Sequence, residues 1–327
     1  MKTNKLFLTI AAIAISGSFL FTSCAKNKAF KNEDGQASED NRNVQSENDA
    51  AINDINAEIG ALTALRGNKE EGVNGTEAYY KAFGITATYY TVDTTNLSNG
   101  SIVINYNGTV INNRKREGAI RLTIQDYANG KRWKQQGCVV KVDFLNYKIT
   151  RASDGKFVLL NGSQFYTNES GGSWWEFLFI KTQNSLSTSV KSTDLKVSFD
   201  DGKTASYNIN RKFTFTVPGN ILTCTGEGVG SSNSLSNLEN YGTTRNGEAF
   251  TSQVKTPVIW NITCGAWAPI QGNVEVKVDS KDFTLNCTFG VDKDGNAVSV
   301  GANACPYGWK VEWNRKNRTN KKIFGYR

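Results

Sequence analysis

The residues able to do chemistry are set first by an absence: the 327-residue chain contains no histidine. That excludes a Ser-His-Asp triad, a Cys-His pair and His-ligated zinc or iron. What remains is carboxylate chemistry, acid–base work by Tyr or Lys, and calcium held by oxygen ligands. No pair of Asp and Glu residues stands out as an acid–base couple, since such a pair is defined in space and not in sequence. No catalytic residue is therefore assigned, no cofactor or metal is expected, and a non-enzymatic protein is the expectation. Asp292-Lys293-Asp294-Gly295-Asn296 places oxygen ligands at alternate positions, as a calcium loop does. Gly301-Ala302-Asn303 stands where an EF-hand carries its bidentate Glu. An Asp-Gly hairpin turn explains the same residues and is the preferred reading.

Trp174-Trp175, followed by Glu176, could form a platform on which a sugar ring stacks while the carboxylate takes its hydroxyls. In a strand, adjacent residues point to opposite faces, so one tryptophan is expected in the core and the other outside. Trp309, Val311 and Trp313 are expected to share one face. Five cysteines follow Cys24, and no C-x-x-C motif occurs among them, so a zinc ribbon or thioredoxin-type motif is not supported. Export would permit disulfides. The expected pairs are Cys287 with Cys305 and Cys224 with Cys264, leaving Cys138 buried and reduced; that none is bridged stays open.

Export is read from the N-terminus. Two lysines in residues 1–5 precede an apolar run over 6–20, which has the form of a signal peptide over residues 1–23. The run is too short and too rich in small residues for a membrane span of about 20 residues. Phe21-Thr22-Ser23-Cys24 resembles a lipobox. The resemblance implies diacylglyceryl on the Cys24 sulfur, cleavage after Ser23 and a third acyl chain on the new amino terminus; two or more chains anchor a protein stably. Membrane lipid through Cys24 is thus the first expected partner. The other reading is an ordinary secretory signal with a bystander cysteine. Ala25 occupies the position where aspartate is associated with inner-membrane retention, and residues 25–31 lack an acidic cluster. The expectation is an outer-membrane lipoprotein whose body faces the periplasm. Nucleic acid is not an expected partner there. Asp93-Thr94-Thr95 resembles a short O-glycosylation acceptor, with Thr94 as the modified residue.

Charge is unevenly spread. Residues 25–71 hold ten acids and six bases, whereas residues 72–327 carry a net charge of about +10. A basic body beside an anionic envelope would lie near lipid phosphates or acidic polysaccharide, with general solubility the alternative account. Arg315-Lys316-Asn317-Arg318-Thr319-Asn320-Lys321-Lys322 forms a basic turn that could touch phosphate or, as a hairpin tip with strand-edge lysines, block aggregation.

The elements that must position these residues follow from periodicity. Residues 24–45 are polar without an apolar period and read as a flexible tether. Residues 46–67 read as a helix: Ser46 and Asp49 resemble a capping box, Gly67 is a stop, and Ile52, Ile55, Ile59 and Leu62 form one stripe that docks on the β body. From about residue 84 the period becomes two. Strands are predicted over 101–106, 119–124, 139–144, 156–160, 175–180, 195–199, 212–217, 274–278, 283–289 and 310–313. Asn-Gly and Asp-Gly pairs punctuate them and predict type I′ hairpins. The fold class is all-β, in antiparallel meander or sandwich-like sheets, preceded by one short N-terminal helix. A Ser/Thr-rich patch over 185–193 suggests a joint between β regions 72–190 and 191–327, with one continuous β domain over 72–327 as the alternative. Residues 226–242 read as a long loop.

Three stretches look familiar together: Asn112-Asn113-Arg114-Lys115-Arg116-Glu117-Gly118; Thr244-Arg245-Asn246-Gly247-Glu248-Ala249-Phe250-Thr251 before Lys255-Thr256-Pro257-Val258; and Cys264-Gly265-Ala266-Trp267 leading through Gly272-Asn273-Val274-Glu275-Val276 to Phe289-Gly290-Val291-Asp292-Lys293-Asp294-Gly295-Asn296. They are similar to segments of uncharacterised all-β lipoproteins of Bacteroidota, over roughly residues 100–300. The resemblance implies a class of molecule and no activity. The chain departs from that pattern in lacking a Tyr-Gly…Cys-Asp ending in the last segment. Together these readings give an envelope lipoprotein with a binding or structural role; the alternative is a carbohydrate-binding or carbohydrate-processing accessory protein.

Overall fold

A computed structural model of the chain describes residues 32–67, 89–111, 113–174, 176–232, 234–264, 268–280, 284–298, 305–315 and 318–326. It opens with a thirty-residue helix, α1 (Asn32–Ala61), and one further turn, α2 (Thr63–Arg66), closed by Gly67 at φ 119°. Sixteen strands follow: β1 (Tyr90–Asp93), β2 (Ser101–Ile111), β3 (Arg114–Ile124), β4 (Cys138–Arg151), β5 (Phe157–Asn168), β6 (Ser185–Ser192), β7 (Leu195–Phe199), β8 (Thr204–Thr216), β9 (Thr223–Gly228), β10 (Gly230–Ser232), β11 (Leu235–Thr243), β12 (Ala249–Asn261), β13 (Pro269–Val278), β14 (Thr284–Val291), β15 (Gly308–Arg315) and β16 (Arg318–Gly325).

All sixteen join one antiparallel sheet with β1 and β16 at its edges. Strands β6 and β7 share one slot, pairing with the two ends of β5 and again with β8. Strands β9 and β11 likewise share the slot between β8 and β12. Strands from either side of residue 190 thus pair directly, and the patch 185–193, expected as a joint, is the body of β6.

The sheet curves around α1. Hydrogen bonds reach the helix from Tyr90 at one edge, from Tyr106 and Arg114, and from Arg211, Asn240 and Ser252 further round. Arg42 of the helix lies over the rings of Phe289 in β14 and Trp309 in β15. Alternate strand residues turn inward: Ile120, Leu122 and Ile124 are buried in β3, as are Val140, Val142 and Phe144 in β4, while Arg121, Lys141 and Asp143 turn outward. The outer face is thus a polar one that water solvates, and the inner face carries the core.

The core has two parts. The first packs Val44, Ala51, Ile55 and Ile59 of α1 against β1–β8. The second joins β12–β15 through Val254, Val274, Val276, Leu285, Trp309, Val311 and Trp313, and contains no helix residue. Burial of Trp309, Val311 and Trp313 together follows from their alternation in β15. The isoleucine stripe of α1 docks on the sheet as its spacing predicts.

Several expectations need correction. Residues 32–45 are helical, not tether, so Ser46 is a mid-helix residue and no cap. Residues 176–180 form a π-helical turn, Glu176–Ile180, in place of a strand. Within 226–242, expected as loop, lie the end of β9, all of β10 and most of β11. The hairpin turns also differ from type I′: Gly202, Gly247 and Gly295 have φ of 78°, 78° and 89°, while the Asp or Asn before each keeps negative φ. In each of these turns the glycine N–H donates to the carbonyl three residues back. That is a type I turn followed by a left-handed glycine, the three-residue hairpin.

Candidate functional site

An acidic helix inside a sheet must find partners for its carboxylates, because an unpaired buried charge costs several kcal/mol. Helix α1 finds them along its length. Asp40 accepts from Arg245 Nε at 2.7 Å and Nη2 at 2.6 Å. Glu47 accepts from Arg114 Nε at 2.6 Å, and Asp49 from Arg211 Nη1 at 2.6 Å. Asp54 takes the hydroxyls of Tyr89 and Tyr106, both at 2.7 Å, and Glu58 takes that of Tyr90 at 2.7 Å. Burial pushes the Asp54 carboxyl above its ordinary value, outweighing the field of Arg116 and the two tyrosine donors. The acidic segment and part of the basic body therefore neutralise each other inside the fold.

Between α1 and the second core lies a cavity of about 340 Å³. Its helix wall is one stripe: Ser38, Asn41, Arg42, Gln45, Asp49, Asn53 and Asn56 recur at three- and four-residue spacing. Its sheet wall is aromatic and aliphatic. Phe213 and Phe215 come from β8, Trp260 from β12, Phe289 from β14 and Trp309 from β15, with Tyr326 just beyond β16 and Val258, Val274, Val276 and Cys287 between them. Trp309 stacks on Tyr326 with centroids 5.6 Å apart. Trp260 can approach β9 this closely because residue 226 is glycine: a Cβ there would sit 2.9 Å from the indole. One polar edge crosses the apolar wall, where Arg211 meets Asp49 beside Glu239, which accepts the Ser252 hydroxyl at 2.7 Å. Burial alone would lower the Arg211 pKa, but the charges of Asp49 and Glu239 outweigh it and hold the guanidinium protonated. The volume and lining are those of a small-molecule site: mostly apolar walls with a few fixed polar groups.

The residues singled out from sequence are distributed unequally. Trp174 lines this cavity, its ring edge-on to Phe215 at 4.5 Å and to Phe177 at 6.0 Å. Trp175 and Cys24 lie outside the described residues. Cys224 and Cys287 also line the cavity, and both are thiols. The expected pairs Cys287–Cys305 and Cys224–Cys264 are therefore wrong: the disulfide joins Cys264 to Cys305, with Cα atoms 5.3 Å apart. The reason is strand direction. Cys287 turns inward in mid-strand, opposite Val274 and Val311, while Cys264 and Cys305 lie beyond strand ends. Cys138 is buried and reduced, and burial pushes its thiol up to about 11. Thr94 is exposed in the turn after β1, and Asp93 engages the neighbouring Thr95 hydroxyl at 2.6 Å. Asp292 spends its carboxylate on the amides of Asp294 and Asn296, so the hairpin turn accounts for that loop. Lys321 and Lys322 lie on the edge strand β16.

Sequence reasoning missed the stripe Gln45, Asp49, Asn53 and Asn56, and missed Arg211, Phe213 and Phe215. The available signal was α1 itself, a helix polar on most faces, which needs either water or a polar lining. No protein-family model matches the chain, and comparison with curated proteins and with solved structures gave no match.

Proposed function

We propose that this protein is a non-enzymatic, lipid-anchored binding protein of the outer membrane whose ligand occupies the cavity between α1 and β8–β15. The observation that carries the reading is the cavity itself, with a polar helix stripe facing an aromatic wall. Support for the anchor comes from the lipobox-like Phe21-Thr22-Ser23-Cys24. Only residues 25–31 separate Cys24 from α1, and so short a stretch, even fully extended, reaches under roughly 30 Å. An anchored body would thus be held close to the bilayer by the N-terminal end of α1, and the lack of an acidic cluster in residues 25–31 supports a body that faces the periplasm.

The test uses residues 25–327 without lipid and the neutral fluorophore N-phenyl-1-naphthylamine. Saturable binding at one site, lost in Phe215→Arg while the circular dichroism and unfolding midpoint hold, is the expected result. Binding unchanged by that variant, or no saturable binding, would sink the proposal. A second reading, a carbohydrate-binding accessory protein, is favoured by the position of Trp174 in the same cavity as Asn53 and Asn56. A glycan array on the same protein tests it.

A further inference from the structure

The two walls of the cavity ask for different chemistry, and this restricts the ligand. On the helix wall, Gln45, Asn53 and Asn56 fall within an arc of about 80° and along about 16 Å of α1, at 100° and 1.5 Å per residue. The Nε2 of Gln45 is buried without a hydrogen-bond partner among the described residues. Asn56 uses its carbonyl oxygen to accept the Tyr166 hydroxyl at 2.9 Å, and its amide nitrogen carries two N–H donors besides. These are neutral groups that discriminate hydroxyls and carbonyls. On the opposite wall, Phe213, Val274 and Val276 offer nothing to a polar atom, and a hydroxyl pressed there would lose its water without replacement, at a cost of about 1–3 kcal/mol. The charged lining groups balance in number, Arg42 and Arg211 against Asp49 and Glu239: Arg211 pairs with Asp49, and Arg42 lies over Trp309 at 4.8 Å.

Resting on the reading of this cavity as a ligand site, we infer that it takes a neutral facial amphiphile: an extended, rigid molecule with hydroxyl or carbonyl groups along one face and hydrocarbon along the other. A plain acyl chain leaves the amide stripe unanswered. A sugar chain carries hydroxyls around its whole rim and would bury some against the aliphatic wall.

The test displaces N-phenyl-1-naphthylamine from residues 25–327 with two uncharged steroids, methyl cholate (three hydroxyls on one face) and methyl lithocholate (one hydroxyl). A neutral oligosaccharide, maltohexaose, is run beside them. Methyl cholate should bind at least about tenfold more tightly than methyl lithocholate, although it is the less hydrophobic. In the doubly substituted Gln45→Leu/Asn53→Leu protein the order should reverse, and an unchanged circular dichroism spectrum and urea midpoint report that the fold is intact. Tighter binding of methyl lithocholate to the unsubstituted protein would overturn this inference alone. So would displacement by maltohexaose at lower concentration than by methyl cholate. Absence of saturable fluorophore binding would overturn this inference together with the reading beneath it.

Discussion

Replacing Arg245 by leucine removes the clamp at the N-terminal half of α1. Asp40 is 2% exposed, and its two oxygens take the Nε and Nη2 of Arg245 side by side. Among the described residues its one other side-chain donor is Gln36, at 2.8 Å. Arg245 sits in the β11–β12 turn, where its guanidinium also lies over the Phe199 ring at 3.9 Å and meets Asp201 at 3.2 Å. Breaking a buried pair from one side costs about 3–5 kcal/mol, because the abandoned charge stays buried. Arg245→Leu should fall at the lower end, about 3 kcal/mol, since Gln36 still donates to Asp40. Asp40→Asn should cost less, about 1–2 kcal/mol, because Arg245 keeps Asp201 and Phe199 and a neutral amide needs less solvation.

Substituting Asp40→Asn and Arg245→Leu together removes both charges, and the double variant should cost less than Arg245→Leu alone. Urea unfolding of residues 25–327 at pH 7, followed by circular dichroism, gives the three values and the coupling between them. Between 0.1 and 1 M NaCl the cost should change little, as buried pairs are weakly screened. A cost below about 1 kcal/mol for Arg245→Leu, or costs that simply add, would refute the clamp.

Three further outcomes are expected. Removing the Cys264–Cys305 bridge, which closes a 41-residue separation, should cost up to about 4 kcal/mol by the chain-entropy relation; an unchanged urea midpoint in Cys264→Ser/Cys305→Ser would contradict the pairing. Asp54 has a folded pKa above its unfolded value, so its contribution is fully present below about pH 3.9 and is lost as pH rises through the folded pKa. Wild type should therefore lose stability relative to Asp54→Asn as pH rises above about 3.9, and a pH-independent difference between the two would count against burial as the cause. Cys24→Ser should release the protein from membranes or leave the precursor uncut, which fractionation and mass measurement decide; a processed, membrane-bound variant would end the lipoprotein proposal.

The all-β class was legible because turn glycines and strand alternation are local. Gly155, Gly202, Gly247 and Gly295 each sit at positive φ beside a strand end. What was not legible depends on distant partners. Strand β11 reads as loop because its inward side carries Asn240, whose partner is Asn41, 199 residues earlier. Strand β6 hides for a similar reason: its inward Ser192 donates to the Tyr207 carbonyl and accepts from the Ile209 amide. Hydrophobic periodicity cannot mark a strand whose inner neighbour is polar. Residues 32–45 read as tether because acids without an apolar stripe imply solvation, and the sequence does not show that Arg245 will meet Asp40. The cavity stripe shares this blindness, since Gln45, Asn53 and Asn56 are ordinary surface residues until a sheet closes over them.

The same pairing changes what the charge asymmetry means. A tether bearing acids beside a body at +10 would present two separate fields. With α1 threaded through the sheet, the acids sit inside the body, and a distant polyanion meets the sum, +6 for residues 24–327. The cations that pair with α1 are arginines: Arg114, Arg211 and Arg245 point inward to carboxylates. Arginine suits that role, as its planar fork keeps its charge and its hydrogen bonds when desolvated, whereas lysine is more strongly hydrated. The lysines that remain, such as Lys141, Lys196 and Lys255, lie on the outer face within 3.0 Å of a neighbouring carboxylate. Spread this way and screened beyond about 8 Å at physiological salt, they give general solubility more readily than a basic patch. The weight for specific recognition accordingly moves from the surface charge to the neutral amides and aromatic rings of the cavity.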